Sequence, residues 1–417
     1  MVNSSMHYLV EDVFSPRTFP QNTYIYRKTE GGETVDSRLK RALAMKGNLI
    51  FVSGASKSGK TVLCHNVIAE DRYISLSGNQ IGAKEDFWQH IAEQIPLADS
   101  VVSTSAEQKN NTSGKNMGVN VNLGVVAIHA GANNSLGEVA NKQVALSQAR
   151  TERQIIRYLI EHNKVLIIDD FHYVAKDVQM YIARTLKTEL FNGLKAVIIS
   201  LPHRSDEAII CNPDLIGRTT SIDIPPWTKN ELKEIAVKGF SLLELKISDA
   251  DVELLAQESI TSPQLMQDNC FNLAFAAVNS KLIINSELVK NVFRETARNY
   301  SHYERIVKNI IMGPMQGRGR RKLYAVQGLS VDIYHLLLLA LKADPPVVEL
   351  DITELKRRTS LLLLVKEQLS SSVISATINK IIRLVSEVMP ELDALEYKNQ
   401  CLYILDPFLL FYLRWKN

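Results

Sequence analysis

The sequence is poor in cysteine. Its 417 residues include four cysteines, which are widely separated and match no metal-binding spacing: Cys64, Cys211, Cys270 and Cys401. This pattern argues against a disulfide framework or a cysteine-ligated zinc site. We expect buried free thiols in a reducing cytoplasm.

Long apolar runs are also missing. The run Leu336–Leu341 is far shorter than the roughly 18 residues that a membrane-spanning helix needs. The first residues, MVNSSMHYLVEDVF, do not have the basic and then apolar pattern of a signal peptide. We therefore expect a cytoplasmic protein with no membrane partner.

A large excess of positive or negative charge is missing as well. The sequence has 48 Lys and Arg against 45 Asp and Glu, a net charge of +3, so nucleic acid would have to bind at a local basic patch. The hydrophobic content of 46% is that of an ordinary globular protein, and the length predicts two or three domains.

One stretch, NLIFVSGASKSGKTVLCH (48–65), carries the strongest signal. An apolar run, Leu49–Val52, is typical of a buried strand, and apolar residues at helical spacing follow Thr61. Between them every fixed position of G-x-x-x-x-G-K-[ST] is filled. Glycines let such a loop turn its N–H groups inward, and the following helix adds partial positive charge. We predict a nucleoside triphosphate here, with Lys60 on its β- and γ-phosphates and Thr61 on Mg²⁺.

The predicted nucleotide contacts are consecutive in the chain. They are Gly54, Ala55, Ser56, Lys57, Ser58, Gly59, Lys60, Thr61 and Val62.

A second apolar run ends in two carboxylates. It reads VLIIDDFH from Val165 to His172 and follows a predicted helix, Thr151–His162. At the carboxyl end of a buried strand, Asp169 is expected to hold Mg²⁺ through water. Asp170 is then placed to orient the attacking water or to accept its proton.

A later strand, Lys195–Leu201, predicts sensors of the γ-phosphate. Ser200 lies at its end and Arg204 just beyond it. The alternative for Arg204 is a solvated loop arginine.

Further strands and helices alternate between these motifs, which predicts a parallel α/β sheet. The segment from about 100 to 141 departs from that pattern. Within it, Met117–Gly131 has apolar residues at period two, as in a half-buried β-ribbon. This insertion is either a subunit or target contact, or a mobile flap.

The residues before the loop offer two interpretations. Tyr24 and Arg27 lie in NTYIYR, where an aromatic wall and an edge partner would suit an adenine. The alternative is a strand that packs at the domain edge.

The C-terminal half reads as helical. Pro225-Pro226 ends the α/β core, and Thr228-x-x-Glu231 is a capping box that opens a helical lid. A basic segment, GPMQGRGRRK (313–322), is either a phosphate grip or a solvated hinge. Three predicted helices, at 333–342, 352–364 and 371–388, precede a predicted β-wing at 395–404.

These last elements predict a winged helix. Its third helix offers only Lys380 and Arg383 as cations near the groove-facing side. That set is thin for DNA, so we favour docking to a protein or a latch on the ATPase core.

Six strings together resemble a known group: TYIYR, GASKSGKT, LIIDDFH, IISLPHR, NPDLIGRTTSIDIPPWTKNEL and LYILDPFLLFYLRW. The chain is similar to the STAND branch of P-loop ATPases, relatives of AAA+ and origin-recognition ATPases, and within it to prokaryotic and archaeal-type ATPases with a C-terminal winged helix. The expected fold is an α/β, parallel-sheet P-loop NTPase core of the ASCE/AAA-like type. We place this core at 1–226, the lid at 227–312, a basic linker at 313–330 and the winged-helix domain at 331–417.

The resemblance implies further roles. Tyr24–Arg27 matches the adenine-side motif, and Asp169-Asp170 is the STAND form of the acidic pair. Arg204 falls near the sensor arginine. Arg218 matches the box where AAA+ relatives carry an arginine finger that acts on a neighbouring subunit. No arginine stands at 262–266, where many of these relatives place a second sensor.

We therefore predict an ATPase that binds ATP and Mg²⁺, hydrolyses slowly and acts as a switch on a protein effector. By resemblance, its setting is prokaryotic defence, including antiviral defence, or stress signalling. A homo-oligomer formed through Arg218 and the 117–131 ribbon is a hypothesis. The alternatives are a DNA-engaging ATPase, such as a loader or a transposition-type regulator, and a scaffold that holds nucleotide without hydrolysis.

Overall fold

The computed structural model describes residues 8–29, 31–96, 152–201, 217–315, 321–364, 368–390 and 392–416. The chain divides into two compact units. The sheet unit comprises Lys28–Gly54 and Lys60–Ile224, and the helical unit comprises Met1–Arg27, Ala55–Gly59 and Pro225–Asn417. Residues 55–59 of the predicted phosphate loop thus group with the helical unit.

The sheet unit is built on five parallel strands. They are β1 (Leu49–Ser53), β2 (Tyr73–Ser77), β3 (Val165–Asp169), β4 (Lys195–Ser200) and β5 (Thr219–Asp223), in the order β2-β3-β4-β1-β5. Strand β4 therefore separates the strand before the phosphate loop from the strand before the acidic pair. This arrangement confirms the predicted α/β fold class.

Helices cover both faces of this sheet. They are Val35–Ala44, Lys60–Val67, Lys84–Ala92, 152–161 and Lys176–Phe191. Successive strand residues point to opposite faces, and the core divides accordingly: Phe51 and Ile168 belong to one apolar cluster, Ile50 and Ile167 to another. Burial on both faces explains why these strands read as continuous apolar runs in the sequence.

Side-chain caps decide where two helices begin. Thr34 Oγ1 accepts a hydrogen bond from the backbone N–H of Ser37, so the helix before β1 starts at Val35. The capping box at Thr228 and Glu231 is confirmed, and helix Lys229–Leu242 follows it.

The helical unit contains ten helices among the residues that the structure describes. They are Val10–Val13, Lys229–Leu242, Asp249–Glu258, Pro263–Ser280, Ser286–Asn299, Tyr303–Met312, Ile333–Leu341, Ile352–Leu362, Ser371–Val388 and Pro407–Trp415. One continuous apolar core runs through them. At its N-terminal end Phe14 packs on Phe240, with 5.2 Å between ring centroids, and its ring lies where a side chain on Gly239 would stand.

Five short strands complete this unit. A hairpin joins β6 (Tyr324–Val326) to β7 (Leu329–Val331), and an antiparallel sheet has the order β8-β10-β9, with β8 at Glu349–Asp351, β9 at Leu395–Lys398 and β10 at Cys401–Ile404. The turn of the predicted wing lies at Asn399-Gln400, between β9 and β10, and both residues have positive φ. The three helices and the wing occur in the predicted order, while the division into lid, linker and winged-helix domain stays a prediction.

The C-terminal helix Pro407–Trp415 packs on more than its own predicted domain. Phe411 and Trp415 lie against Phe293 of helix Ser286–Asn299, with ring centroids 5.9 and 4.8 Å away. Arg414 forms an ion pair with Glu258 at 2.6 Å, and both side chains are under 10% exposed. These contacts join the C-terminal helix to helices of the predicted lid.

The predicted basic linker differs from a simple hinge. It contains the strand β6, whose residues Tyr324 and Val326 are buried in the apolar core. Arg321 is 12% exposed, pairs with Asp332 at 2.7 Å and lies over the Tyr334 ring. This guanidinium is therefore bound within the protein. Arg318 and Arg320 lie outside the described residues, as does the 100–141 insertion with its predicted ribbon.

Across the described ranges, no helix has both the length and the apolar character needed to cross a membrane.

Candidate nucleotide-binding site

The predicted phosphate loop connects β1 to helix Lys60–Val67. Two of its residues have left-handed backbone conformations: Lys57, with φ of 61°, and Gly59, with φ of 93°. Such a conformation strains a residue that has a Cβ and suits glycine. Successive turns of this kind point backbone N–H groups to one side, which is how an anion-binding loop is made.

Lys60 is held at the start of the helix. Its Nζ donates a 2.9 Å hydrogen bond to the carbonyl oxygen of Gly54, and the residue is 8% exposed. The ammonium group is therefore turned back toward the end of β1 rather than toward solvent. This placement agrees with the predicted role of Lys60 toward phosphates, which stays a prediction.

The two predicted magnesium ligands lie in contact. Thr61 Oγ1 donates to Asp169 Oδ2 at 2.5 Å, and Asp169 Oδ1 accepts from the backbone N–H of Asp170 at 2.8 Å. Burial raises the pKa of the Asp169 carboxyl, although the hydrogen bond from Thr61 acts in the opposite direction. A hydroxyl and a carboxylate that meet at the first turn of helix Lys60–Val67 are the oxygen ligands that Mg²⁺ prefers. The residues present therefore fit a magnesium–triphosphate complex.

Asp170 begins a tight turn directly after β3. Its φ is 53°, and a short 3₁₀ helix, Phe171–Tyr173, follows. The backbone of Gly78, directly after β2, lies so close that a Cβ there would stand 2.2 Å from the carbonyl oxygen of Asp170. The close approach requires glycine and fixes the backbone that carries the Asp170 carboxylate.

Three polar residues end neighbouring strands at this edge of the sheet. Ser53 of β1 lies in register with Ser200 of β4 and with Asp223 of β5. Ser53 Oγ donates a hydrogen bond to Asp223 Oδ1. Ser200 is 1% exposed, and among the residues that the structure describes its Oγ has no hydrogen-bond partner. A buried hydroxyl without a partner is uncommon, so Ser200 remains a good sensor candidate.

Asp223 is absent from the residues that we predict from sequence. The available signal was its position as the last residue of a strand before Pro225-Pro226, in the string SIDIPP. Carboxyl ends of parallel strands share one edge, so an acidic residue there was a candidate.

Arg218 lies away from this edge. It is exposed and precedes β5, and its carbonyl oxygen accepts from the backbone N–H of Leu49 at the start of β1. Five strand residues separate the two edges, a distance of roughly 16 Å at about 3.3 Å per residue. Arg218 is therefore not at the phosphate-loop edge of its own sheet. Arg204, the other predicted arginine, lies outside the described residues.

Tyr24 and Arg27 belong to the helical unit, and 24–27 form no regular strand. Tyr24 is half-buried, with the Phe19 ring centroid at 5.8 Å. Arg27 is 6% exposed, and its Nε donates to Glu231 at 3.0 Å. Its guanidinium carbon also stands 4.4 Å from the centroid of the Trp227 ring.

Trp227 is a residue that sequence reasoning missed. Its Nε1 donates a 2.8 Å hydrogen bond to the carbonyl oxygen of Ser58, in the part of the loop that belongs to the helical unit. A tryptophan directly after two prolines and before a capping box offers no signal of such a contact.

No protein-family model matches the sequence, and no curated protein matches it. Solved structures similar to the chain include Cdc6p from Pyrobaculum aerophilum (13% identity, TM-score 0.43, covering 97% of each chain). Another is a Walker-type ATPase of Pyrococcus abyssi (12% identity, TM-score 0.49, covering 94% of this chain and 96% of that one). A third is the Orc1 protein of Aeropyrum pernix, solved in complex with DNA (13% identity, TM-score 0.41, covering 91% of each chain).

At these identities and TM-scores, the likenesses say nothing about what this chain binds. The geometry of the chain itself is more informative. A phosphate loop follows β1, an acidic pair ends β3, and β4 lies between these strands in a parallel sheet. The sheet unit therefore has the fold of a P-loop NTPase of the ASCE/AAA-like type.

Proposed function

We propose that this protein is a switch that binds ATP with Mg²⁺, hydrolyses it slowly and passes its nucleotide state to a partner protein. The observation that carries this proposal is the 2.5 Å contact between Thr61 Oγ1 and Asp169 Oδ2 beside a filled phosphate-loop motif. Residues 108 positions apart in the sequence meet there with the chemistry that Mg²⁺ requires.

Each predicted residue has a role in this proposal. Backbone N–H groups of 54–62 and the Lys60 ammonium bind the phosphates, and Thr61 and Asp169 hold the metal. Bound Mg²⁺ supplies positive charge at the β- and γ-phosphate oxygens. Asp170 orients the attacking water or accepts its proton. Ser200 donates a hydrogen bond at the γ-phosphate, and Tyr24 and Arg27 lie on the adenine side.

Assembly is a further part of the proposal. Because Arg218 is exposed and far from the phosphate-loop edge of its own sheet, it suits an arginine finger that acts on a second copy. A protein effector, a homo-oligomer and a setting in prokaryotic defence or stress signalling are proposed from the resemblance.

The test is ATP binding and steady-state hydrolysis by the purified protein, with Asp170→Asn as the paired variant. We expect slow turnover that Asp170→Asn abolishes, while ATP affinity changes little, because Asp170 acts on water rather than on the phosphates. Absence of ATP binding would refute the proposal. Tight ADP binding with no turnover under any condition would instead favour a scaffold.

A DNA-engaging ATPase is the second candidate. The observation in its favour is that Lys380 and Arg383 are both exposed on helix Ser371–Val388. Against it, Arg321 of the basic segment is bound to Asp332. Duplex DNA should raise turnover several-fold if this candidate is right. The double variant Lys380→Ala/Arg383→Ala should then lose the effect and show a weaker dependence of DNA affinity on salt.

A further inference from the structure

Trp227 is fixed from both sides in the helical unit. It follows Pro225-Pro226, whose rings restrict the backbone, and precedes the cap of helix Lys229–Leu242. The Arg27 guanidinium lies 4.4 Å from its ring centroid, a cation–π distance. The indole therefore has little freedom to turn.

The arginine over the indole is itself held by an ion pair. Arg27 Nε and Nη2 donate to the two carboxylate oxygens of Glu231 at 3.0 and 3.2 Å, and Nη2 donates to the Pro226 carbonyl at 2.9 Å. Glu231 also accepts from the backbone N–H of Thr228 at 2.8 Å. Burial alone would raise the pKa of Glu231, but the bonds from Arg27 and Thr228 outweigh it and lower the pKa. Glu231 is thus ionised at neutral pH.

The third contact reaches the loop. Trp227 Nε1 donates to the carbonyl oxygen of Ser58, a residue that is 6% exposed and lies between the two left-handed positions of the loop. In a trans peptide, the carbonyl of one residue and the N–H of the next point in opposite directions. Fixing the Ser58 carbonyl on the indole therefore turns the Gly59 N–H away from Trp227.

From these contacts we infer that Trp227 is a positioning residue for the phosphate loop. It holds the Ser58–Gly59 peptide in the orientation that phosphate binding needs, and it connects the start of helix Lys229–Leu242 to the loop. This inference rests on the proposed function. Phosphate held by the loop then stabilises one position of that helix. The contacts from Ser58 through Trp227 and Arg27 to Glu231 transmit the nucleotide state from the loop to this helix.

The test compares Trp227→Phe with Trp415→Phe. The first keeps an aromatic ring for Arg27 and removes the indole N–H donor to Ser58, together with one ring of the indole. The control removes the indole donor to Glu258, which lies in the same unit at 2.7 Å from Trp415. Two readouts are needed: amide hydrogen exchange of 55–60 and 229–242, with and without ADP, and ADP affinity measured with a fluorescent ADP analogue.

We expect Trp227→Phe to speed exchange at 55–60 in the nucleotide-free protein and to weaken ADP binding about tenfold, equivalent to ~1.4 kcal/mol. At saturating ADP, helix 229–242 should become protected in the native protein and in the control but not in Trp227→Phe. Glu231→Gln weakens the same series of contacts at the ion pair with Arg27, farther from the loop. It should shift both readouts in the same direction by less.

Unchanged exchange at 55–60 in Trp227→Phe, or an equal change in Trp415→Phe, would overturn the inference. Full protection of 229–242 by ADP in Trp227→Phe would also overturn it. If the native protein binds no ADP or ATP, the proposed function fails. The exchange of the nucleotide-free loop still decides whether Trp227 holds the Ser58–Gly59 peptide.

Discussion

The backbone of Gly78 lies against the carbonyl oxygen of Asp170, at a distance that leaves no room for a side chain. A Cβ on Gly78 would stand 2.2 Å from that oxygen and 2.8 Å from the carbonyl carbon. Gly78, directly after β2, thereby restricts the backbone of the residue that we propose as the acid–base group. This relationship provides a test of Asp170 that does not change its carboxylate.

We expect Gly78→Ala to lower ATP turnover strongly while ATP binding is largely retained, because the methyl group meets the backbone of Asp170 and, at 3.3 Å, the carbonyl oxygen of Asp169, but not 54–62. The strain should also cost about 1–3 kcal/mol of unfolding free energy. Gly31→Ala is the matched control, since its Cβ would meet only Thr29 Oγ1 at 3.8 Å. Turnover equal to that of the native protein would show that Asp170 needs no such support.

Ser200→Ala separates a functional hydroxyl from a structural one. Because Ser200 Oγ is buried and has no partner within the described part of the chain, its removal should leave the unfolding free energy unchanged or slightly higher. If it contacts the γ-phosphate, turnover should fall about tenfold, or ~1.4 kcal/mol in the barrier. Ser221→Ala on β5 is the control for the same substitution at an exposed site. Unchanged turnover would remove Ser200 from the site.

Arg218 can be tested by mixing two inactive variants. Arg218→Ala retains the acidic pair, and Asp170→Asn retains the arginine. If the finger acts on a neighbouring subunit, each variant alone should be inactive and a mixture should regain part of the turnover. Full activity of Arg218→Ala alone would exclude the finger.

The ion pair between Arg414 and Glu258 is expected to matter for stability. Arg414→Ala leaves the carboxylate of Glu258, which is 2% exposed, with one fewer charged partner, and should cost about 3–5 kcal/mol. Thermal unfolding measures the loss. Lys308→Ala, which removes an exposed pair with Glu304, should leave the melting temperature unchanged. A similar loss in both variants would contradict the special role of burial.

The contribution of Glu354 to the stability of the fold is expected to depend on pH. Hydrogen bonds from Arg357 and Arg358 lower its pKa from 4.5 to about 2. A carboxyl whose pKa is lower in the folded protein stabilises the fold above its unfolded pKa, and this contribution is lost as the pH falls toward the folded value. Glu354→Gln should therefore lower the melting temperature at pH 7, and the difference should shrink as the pH falls below 4.5. A difference that stays constant from pH 7 to pH 3.5 would contradict this account.

The sequence predicted the parts of the site that are local in the chain. The strand before Gly54, the loop and the helix after Thr61 lie within one short stretch. Likewise, the acidic pair directly follows its own strand. In both places the apolar pattern, the glycines and the charged residues agree, so one structure satisfies all of them.

Contacts between distant residues were not predictable in this way. Arg27 and Glu231 are 204 positions apart, and Trp227 and Ser58 are 169 apart. In the sequence, the capping box already accounts for Glu231, so nothing there indicates its second partner, Arg27. Similarly, Arg321 reads as a solvated linker cation until Asp332 and Tyr334 are brought beside it. Single-residue patterns carry no information on which distant side chain completes a pair.

The contact between Phe14 and helix Lys229–Leu242 has a consequence for biosynthesis. A ribosome makes the N-terminal segment first, yet Gly239 and Phe240, which receive Phe14, emerge only after 28–224 have been made. Until then Val10, Val13 and Phe14 are apolar side chains without their final cover. A fragment that starts at Pro225 would lack Phe14, so Gly239 and Phe240 would be without the ring that packs on them. The helical unit is therefore not expected to be obtainable as one continuous recombinant piece, and a two-fragment preparation would have to include 8–27.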